Sequence, residues 1–532
     1  MINNPILKGF NPDPSILRVK DNYYIATSTF EWFPGVQIHR SKDLVNWELI
    51  GHALTRKSQL NMLGNPDSGG VWAPCLSYQN GTFFLVFTDV KSHLGPYKDT
   101  HNYVVTATNI EGPWSDPIYL NSSGFDPSFF HDEDGKTWLV NLKWDHRKGK
   151  NPFGGIIIQE YDKEKKCLTG PIRTIFKGTE LGLTEGPHIY KLGEYFYLFV
   201  AEGGTRYEHA ATIARSKNLF GPYNADPEGP LLTSSANREL TLQKAGHASL
   251  VESVDGNYYI AHLCSRPLRP KMRCTLGRET ALQEAVFTED GWIRLAQGTN
   301  NPLDKVKIAN EKLLEEKQSF IENFDQNKIS QHLNTLREPI DNSWASLTDN
   351  PGSLRLYGRE SLYSKHQQSL IARRQQSHSF TAETSFEYNP ESYQQMAGLI
   401  YYYNTQNYIY LSASYDEDLE KSFISIMSSD RGDYEEPLNT PLIIEERVKK
   451  YKMRVIVQED ELQFYLAINE GTFKEIGPVL DASKISDDYV EAEYYGKMID
   501  QAFTGAFIGI CAQDLSGRKK YADFDYFKYE EK

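Results

Sequence analysis

Cysteine is scarce in this 532-residue chain. The five present, Cys75, Cys167, Cys264, Cys274 and Cys511, are odd in number and form no Cys-x-x-Cys pair. That argues against a disulfide framework, and free thiols in a reducing compartment are the simplest expectation. No zinc-ligand spacing and no phosphate-cradling glycine loop appear. Long apolar runs are missing too, so no membrane span is expected. The opening Met-Ile-Asn-Asn-Pro-Ile-Leu-Lys-Gly-Phe lacks a charged segment followed by an apolar one. No signal peptide is expected, and the expected location is cytoplasmic. Basic charge is also short. Lys plus Arg is 57 against 71 Asp plus Glu, a net charge of −14 without any basic run. Such a chain is poorly suited to a polyphosphate backbone, so nucleic acid is not an expected partner and a neutral substrate fits better.

Aromatic residues, by contrast, are abundant at 13%, with 33 Tyr. Tyr and Phe favour strands, and their flat faces also suit sugar rings. Most are accounted for as core. Five segments repeat one pattern: Asp13-Pro-Ser-Ile-Leu, Ala73-Pro-Cys-Leu-Ser, Asp126-Pro-Ser-Phe-Phe, Glu185-Gly-Pro-His-Ile and His247-Ala-Ser-Leu-Val, each followed by an aromatic strand. The anchor aromatics Tyr24, Phe84, Trp138, Tyr197 and Tyr259 lie 60, 54, 59 and 62 residues apart. Several short strands at this period predict an all-β chain opening with a five-bladed β-propeller. Turns such as Asp134-Gly135 and Asp255-Gly256 join the short strands.

The propeller is expected over residues 1–304. Residues 305–320, charged and without alternation, read as a linker, partly helical. Segments such as Met453-Arg-Val-Ile-Val and Leu462-Gln-Phe-Tyr-Leu then alternate with period two. They predict a concanavalin-like β-sandwich over 321–532.

In a propeller each first strand begins beside the central channel. Asp13, Asp126 and Glu185 therefore converge, while Ala73 and His247 hold the same place in the other two blades. Asp-Pro is a common turn opener, which explains any one of these acids. It does not explain three on one axis. Cleaving a glycosidic bond requires a proton for a poor leaving group and a water for the anomeric carbon, and two carboxyl groups supply both. A third carboxylate raises the proton affinity of its neighbour.

Asn11-Pro-Asp-Pro-Ser15, Phe125-Asp-Pro-Ser128 and Thr184-Glu-Gly-Pro-His188 resemble the three catalytic blocks of glycoside hydrolase family 43. Trp72-Ala-Pro, Arg40-Ser-Lys-Asp-Leu-Val-Asn-Trp47 and Gly277-Arg-Glu-Thr280 match as well, and the resemblance spans essentially the whole chain. It is to the two-domain β-xylosidases, many of which also release arabinofuranose. The resemblance implies Asp13 as general base, Glu185 as general acid, and Asp126 as the residue that orients substrate and modulates Glu185. It implies an inverting, exo-acting enzyme releasing D-xylose from short β-1,4-xylo-oligosaccharides, with side activity on α-L-arabinofuranosides. A mainly arabinose-specific enzyme is the nearest rival. A retaining fructosidase also uses a five-bladed propeller, but its first block is of Asn-Asp-Pro-Asn type. A non-catalytic sugar-binding propeller would not need all three acids. The expected assembly is a homo-oligomer, a dimer or a tetramer.

Arg278 is placed to donate two hydrogen bonds to sugar hydroxyls, with a surface salt bridge as its other reading. His247 points toward the channel by equivalence with Asp13, as a contact to the sugar or Asp126, as a neighbour of a central water or ion, or as a buried structural histidine. Phe30, Trp72 and Trp144 are candidate pocket walls. Phe503, in a polar loop, is expected to be exposed and to close the pocket, with sandwich core as the competing reading. No cofactor is required by this chemistry. Asp325 and Asp525 are candidates for a structural Ca²⁺, with ordinary surface acids as the alternative.

Overall fold

The computed structural model describes residues 1–308, 319–445, 447–494 and 497–532. Among them the only helical turns are Ala482–Lys484 and Asp487–Val490. The rest is strand and loop, as the aromatic and period-two patterns require. The partly helical reading of the linker falls on 309–318, outside the described residues. Among the described residues no helix is long and apolar enough to cross a membrane.

The chain divides into two compact units. The first comprises Met1–Arg266 and Arg278–Leu314. It holds five antiparallel sheets of four or five strands each, in sequence order. Their innermost strands are Ser15–Val19, Cys75–Gln79, Ser128–His131, Glu185–Leu192 and Gln243–Glu252. This is a five-bladed propeller. Side chains stitch the inner strands together. Ser249 Oγ donates to Pro14 O at 2.7 Å, and the Leu76 amide donates to Ser15 Oγ at 3.0 Å. The Leu250 amide donates to the Tyr190 hydroxyl at 2.8 Å.

The start of the chain clasps the last blade. Leu7 and Thr280 exchange backbone hydrogen bonds at 3.1 and 3.2 Å. Ile2–Asn3 pairs with Lys305–Val306, so the first residues assigned to the linker form a strand of the first unit instead. The physical reason is local: Ile2 and Val306 are buried together with Leu7, Ile25 and Leu282.

The second unit comprises Pro267–Gly277 and Glu315–Lys532. Pro267–Gly277, expected within the propeller, groups here because its backbone is bonded here. The Cys274 amide donates to Asp488 Oδ2 at 2.8 Å, and the Ala506 amide donates to Thr275 O at 2.8 Å. One sheet is centred on Tyr521–Glu531, Ser379–Tyr388, Tyr451–Gln458 and Glu461–Ile468. The other is centred on Asn407–Asp416, Gln395–Asn404, Phe507–Asp514 and Ser369–Arg374. Tyr451, Met453, Val455 and Val457 alternate inward and join Leu399, Tyr401, Ile508 and Ile510 in one buried core. That is the packing of a β-sandwich.

Candidate active site

Asp13, Asp126 and His247 share an unusual backbone. Their φ angles are 54°, 55° and 41°, in the left-handed region. Asp13 and Asp126 stand just before the inner strands Ser15–Val19 and Ser128–His131, and His247 sits within Gln243–Glu252 where its pairing register shifts. Such conformations cost energy and persist where the surroundings hold them. Here the hold is visible. The Asn11 amide donates to Arg278 O at 2.9 Å, and Thr280 Oγ1 donates to Asn11 O at 2.6 Å. Glu279, fully buried, accepts from Gly9 N at 2.7 Å and from Arg266 at 2.7 and 2.8 Å. The Gly-Arg-Glu-Thr block is thus a clamp on the Asn-Pro-Asp-Pro-Ser block.

Asp13 is 5% exposed. Its Oδ2 accepts from Ser28 Oγ at 2.6 Å, and its Oδ1 accepts from Arg278 Nη1 at 3.2 Å. His247 Nδ1 stands 3.7 Å from the same Oδ1. Burial alone raises the proton affinity of this carboxyl. The Arg278 guanidinium, the His247 ring and the Ser28 hydroxyl outweigh it, and Asp13 is held below the ordinary carboxylate range.

Glu185 behaves in the opposite way. Burial first, then the negative charge of Asp13, pushes it up to about 8, although Arg278 and Lys98 pull it down. Asp126 is likewise pushed well above its ordinary range, by burial first and then by Glu185 and Asp13. The backbone N–H of Gly186 works the other way at Asp126. Asp126 and Glu185 repel one another when both are charged, so the pair retains a proton into neutral pH. One centre therefore holds a carboxylate that is ionised beside a pair that is not fully ionised.

Gly186 explains part of this spacing. Its φ is 58°, and a Cβ there would fall 2.8 Å from His247 Cε1. Glycine lets the His247 ring lie against the acid-bearing strand. Burial lowers the His247 proton affinity, Asp13 raises it and Arg278 lowers it again, leaving the ring below its ordinary range. Arg278 is 4% exposed and pairs with Asp13, so the surface salt bridge is not its role.

The aromatic candidates form a connected arc. Phe30 and Trp72 have ring centroids 6.3 Å apart, and Trp72 meets Phe125 edge-on at 5.1 Å. Phe125 and Trp144 are 6.2 Å apart. Trp144 Nε1 donates to Pro96 O at 2.8 Å. The Lys98 ammonium lies 4.6 Å from the Trp144 ring centroid and donates to His93 O. Burial lowers Lys98 to about 8, opposed by the charge of Glu185.

Several of these residues escaped the sequence reading. Lys98 sits in an irregular loop without a motif. Phe125 carries no signal of its own beyond its place beside Asp126. Glu202 gave no signal, yet it braces the segment that carries Glu185. It is fully buried, and its carboxylate accepts from Thr179 N at 2.7 Å, Thr179 Oγ1 at 2.7 Å and Thr184 Oγ1 at 2.8 Å. Thr184 precedes Glu185, and Ala201 pairs with Glu185 across the strands.

The remaining candidates lie in the second unit. Phe503, expected to be exposed, is buried at 8% exposure. Asp325 is exposed and accepts from Gln326, whereas Asp525 is bound to Lys450 at 2.7 Å and to Ser385 at 2.8 Å. Among the described residues no three His, Cys, Asp or Glu gather as a metal-ion site.

Comparison with known proteins shows the family of this chain. Residues 2–293 match the glycosyl hydrolases family 43, and residues 321–530 match the β-xylosidase C-terminal concanavalin A-like domain. The chain is 48% identical to a β-xylosidase of Bacillus subtilis (strain 168) over 540 aligned positions, covering 100% of both. It is 48% identical to a xylosidase/arabinosidase 43B of Humicola insolens, covering 99% of this chain and 97% of that one. Its fold superposes with a TM-score of 0.96 on a crystal structure of xylan β-1,4-xylosidase from Bacillus halodurans C-125, at 53% identity and with complete coverage of both chains. The two domain matches and the full-length relatives place this chain in glycoside hydrolase family 43.

Proposed function

We propose that this hydrolase is an exo-acting, inverting β-xylosidase that releases D-xylose from the non-reducing end of short β-1,4-xylo-oligosaccharides. The observation that carries this reading is the split in proton affinity within one centre: Asp13 is held low and Glu185 is raised to about 8. An ionised Asp13 takes a proton from water as the water oxygen attacks the anomeric carbon. Glu185 gives its proton to the departing glycosidic oxygen from the opposite side. Inversion follows because the attack is direct. Asp126 keeps the proton available at Glu185 through mutual repulsion and is placed to orient the sugar. Arg278 keeps Asp13 ionised. The arc of Phe30, Trp72 and Trp144 supplies the apolar faces on which a pyranose packs.

Relatives named as β-xylosidases favour xylose as the released sugar, and the relative named xylosidase/arabinosidase favours side activity on α-L-arabinofuranosides. Four of the five cysteines are buried free thiols, which suits a cytoplasmic enzyme acting on imported oligosaccharides. Assembly as a homo-oligomer belongs to the same reading. Assay of 4-nitrophenyl β-D-xyloside beside 4-nitrophenyl α-L-arabinofuranoside tests the specificity. Higher kcat/KM on the xyloside is expected, and the reverse order would make this mainly an arabinofuranosidase.

A further inference from the structure

Leu183 carries a contradiction that its packing does not resolve. It is a bulky apolar residue with φ of 53° and is 44% exposed. Phe30, Val36 and Leu44 adopt the same left-handed backbone, but they are 2%, 0% and 2% exposed, and burial compensates them. Leu183 has neither that compensation nor glycine's freedom. A strained backbone that presents an apolar side chain to solvent is a reason to look for a ligand.

The strain is held from below. Glu202 binds Thr179 and Thr184 on either side of it through three hydrogen bonds of 2.7–2.8 Å. Gly203 N donates to Gly182 O at 2.9 Å. Glycine at 204 makes room for the side chain, since a Cβ there would fall 2.9 Å from Leu183 Cδ1. At Gly178, a Cβ would fall 1.9 Å from Thr184 Oγ1. The loop is therefore built to fix this leucine rather than to let it relax.

Its position gives the chemistry. Leu183 is two residues before Glu185, so their Cα atoms lie at most about 7 Å apart. A proton donor must lie within hydrogen-bond reach of the glycosidic oxygen. The group on the far side of that oxygen, the aglycone, must then pass close to the donor's own loop. We propose that Leu183 is a specificity-determining residue that packs against the leaving group, favouring aglycones with a ring face over small ones. The proposal rests on Glu185 being the acid.

The test compares three substrates, 4-nitrophenyl β-xyloside, xylobiose and methyl β-xyloside, in the parent, Leu183→Ala and Leu183→Gly. Both variants should lose about three- to tenfold in kcat/KM on the nitrophenyl substrate and on xylobiose, the scale set by a partly buried leucine side chain. The methyl substrate should change less than about twofold, because a methyl aglycone is too small to cover the leucine. Leu183→Gly should also melt at a higher temperature than Leu183→Ala, since glycine relieves the left-handed strain. An equal loss on all three substrates, or no loss, would overturn the proposal. So would a loss confined to methyl xyloside and xylobiose, because that pattern follows leaving-group ability and would mean that the loop acts only by placing Glu185. Absence of nitrophenyl xyloside turnover in the parent would instead overturn the underlying xylosidase reading.

Discussion

Arg278 and Asp13 form a buried ion pair, Nη1 to Oδ1 at 3.2 Å, between residues that are 265 positions apart in the chain. The guanidinium also lies 5.2 Å from the Phe30 ring centroid. The pair ties blade five to blade one and sets the charge state of the proposed base. It lowers the proton affinity of Asp13 and also that of Glu185.

Replacing Arg278 with Met should therefore move both limbs of the pH profile of kcat/KM in the same direction. Removing a positive charge makes each carboxyl harder to ionise. The acid limb, where Asp13 must lose its proton, moves to higher pH. The basic limb, where Glu185 must keep its proton, also moves up from about 8. Activity should fall by about 100-fold or more, as when a positioned electrostatic partner is lost. A drop in rate with both limbs unmoved would show that Arg278 does not tune the carboxyls.

Glu185→Ala should show a leaving-group signature. Protonation matters most for xylobiose and least for an activated nitrophenyl xyloside. Loss on xylobiose is expected in the range of about 10²–10⁴-fold, with a much smaller loss on the nitrophenyl substrate and a flattened basic limb. Asp13→Ala should harm both substrates, because water must be activated whatever departs. Equal losses in the Glu185 variant would remove it from the role of proton donor.

The three carboxylates were legible because they recur at one place in a five-fold repeat, and each carries its own turn chemistry. Arg278 was legible as a candidate by its block, but its partner was not, since nothing local in Gly-Arg-Glu-Thr points to Asp13. Glu202 and Lys98 stayed hidden for related reasons. Glu202 ends an ordinary aromatic strand, and only tertiary packing turns it toward Thr179 and Thr184. Lys98 lies in a loop whose path depends on Trp144 and His93. The departure of Pro267–Gly277 from the propeller was equally invisible, because its bonds go to residues more than 200 positions away.

Gly186 offers a test of packing at the centre. Gly186→Ala places a methyl 2.8 Å from the His247 ring at a left-handed φ of 58°. Overpacking and backbone strain together should cost about 2–4 kcal/mol. Adding His247→Ala should recover part of that loss in thermal unfolding, since the clash is then removed while the strain stays. Strict additivity of the two substitutions would mean that the ring is not what excludes a side chain at 186.

The central claim is that Asp13 activates water for direct attack while Glu185 protonates the leaving group. The measurement closest to that claim is proton NMR of a β-xyloside reaction in its first minutes, before mutarotation scrambles the product. The account predicts α-D-xylose as the first anomer released. First-formed β-D-xylose would mean retention through a covalent intermediate and would contradict it.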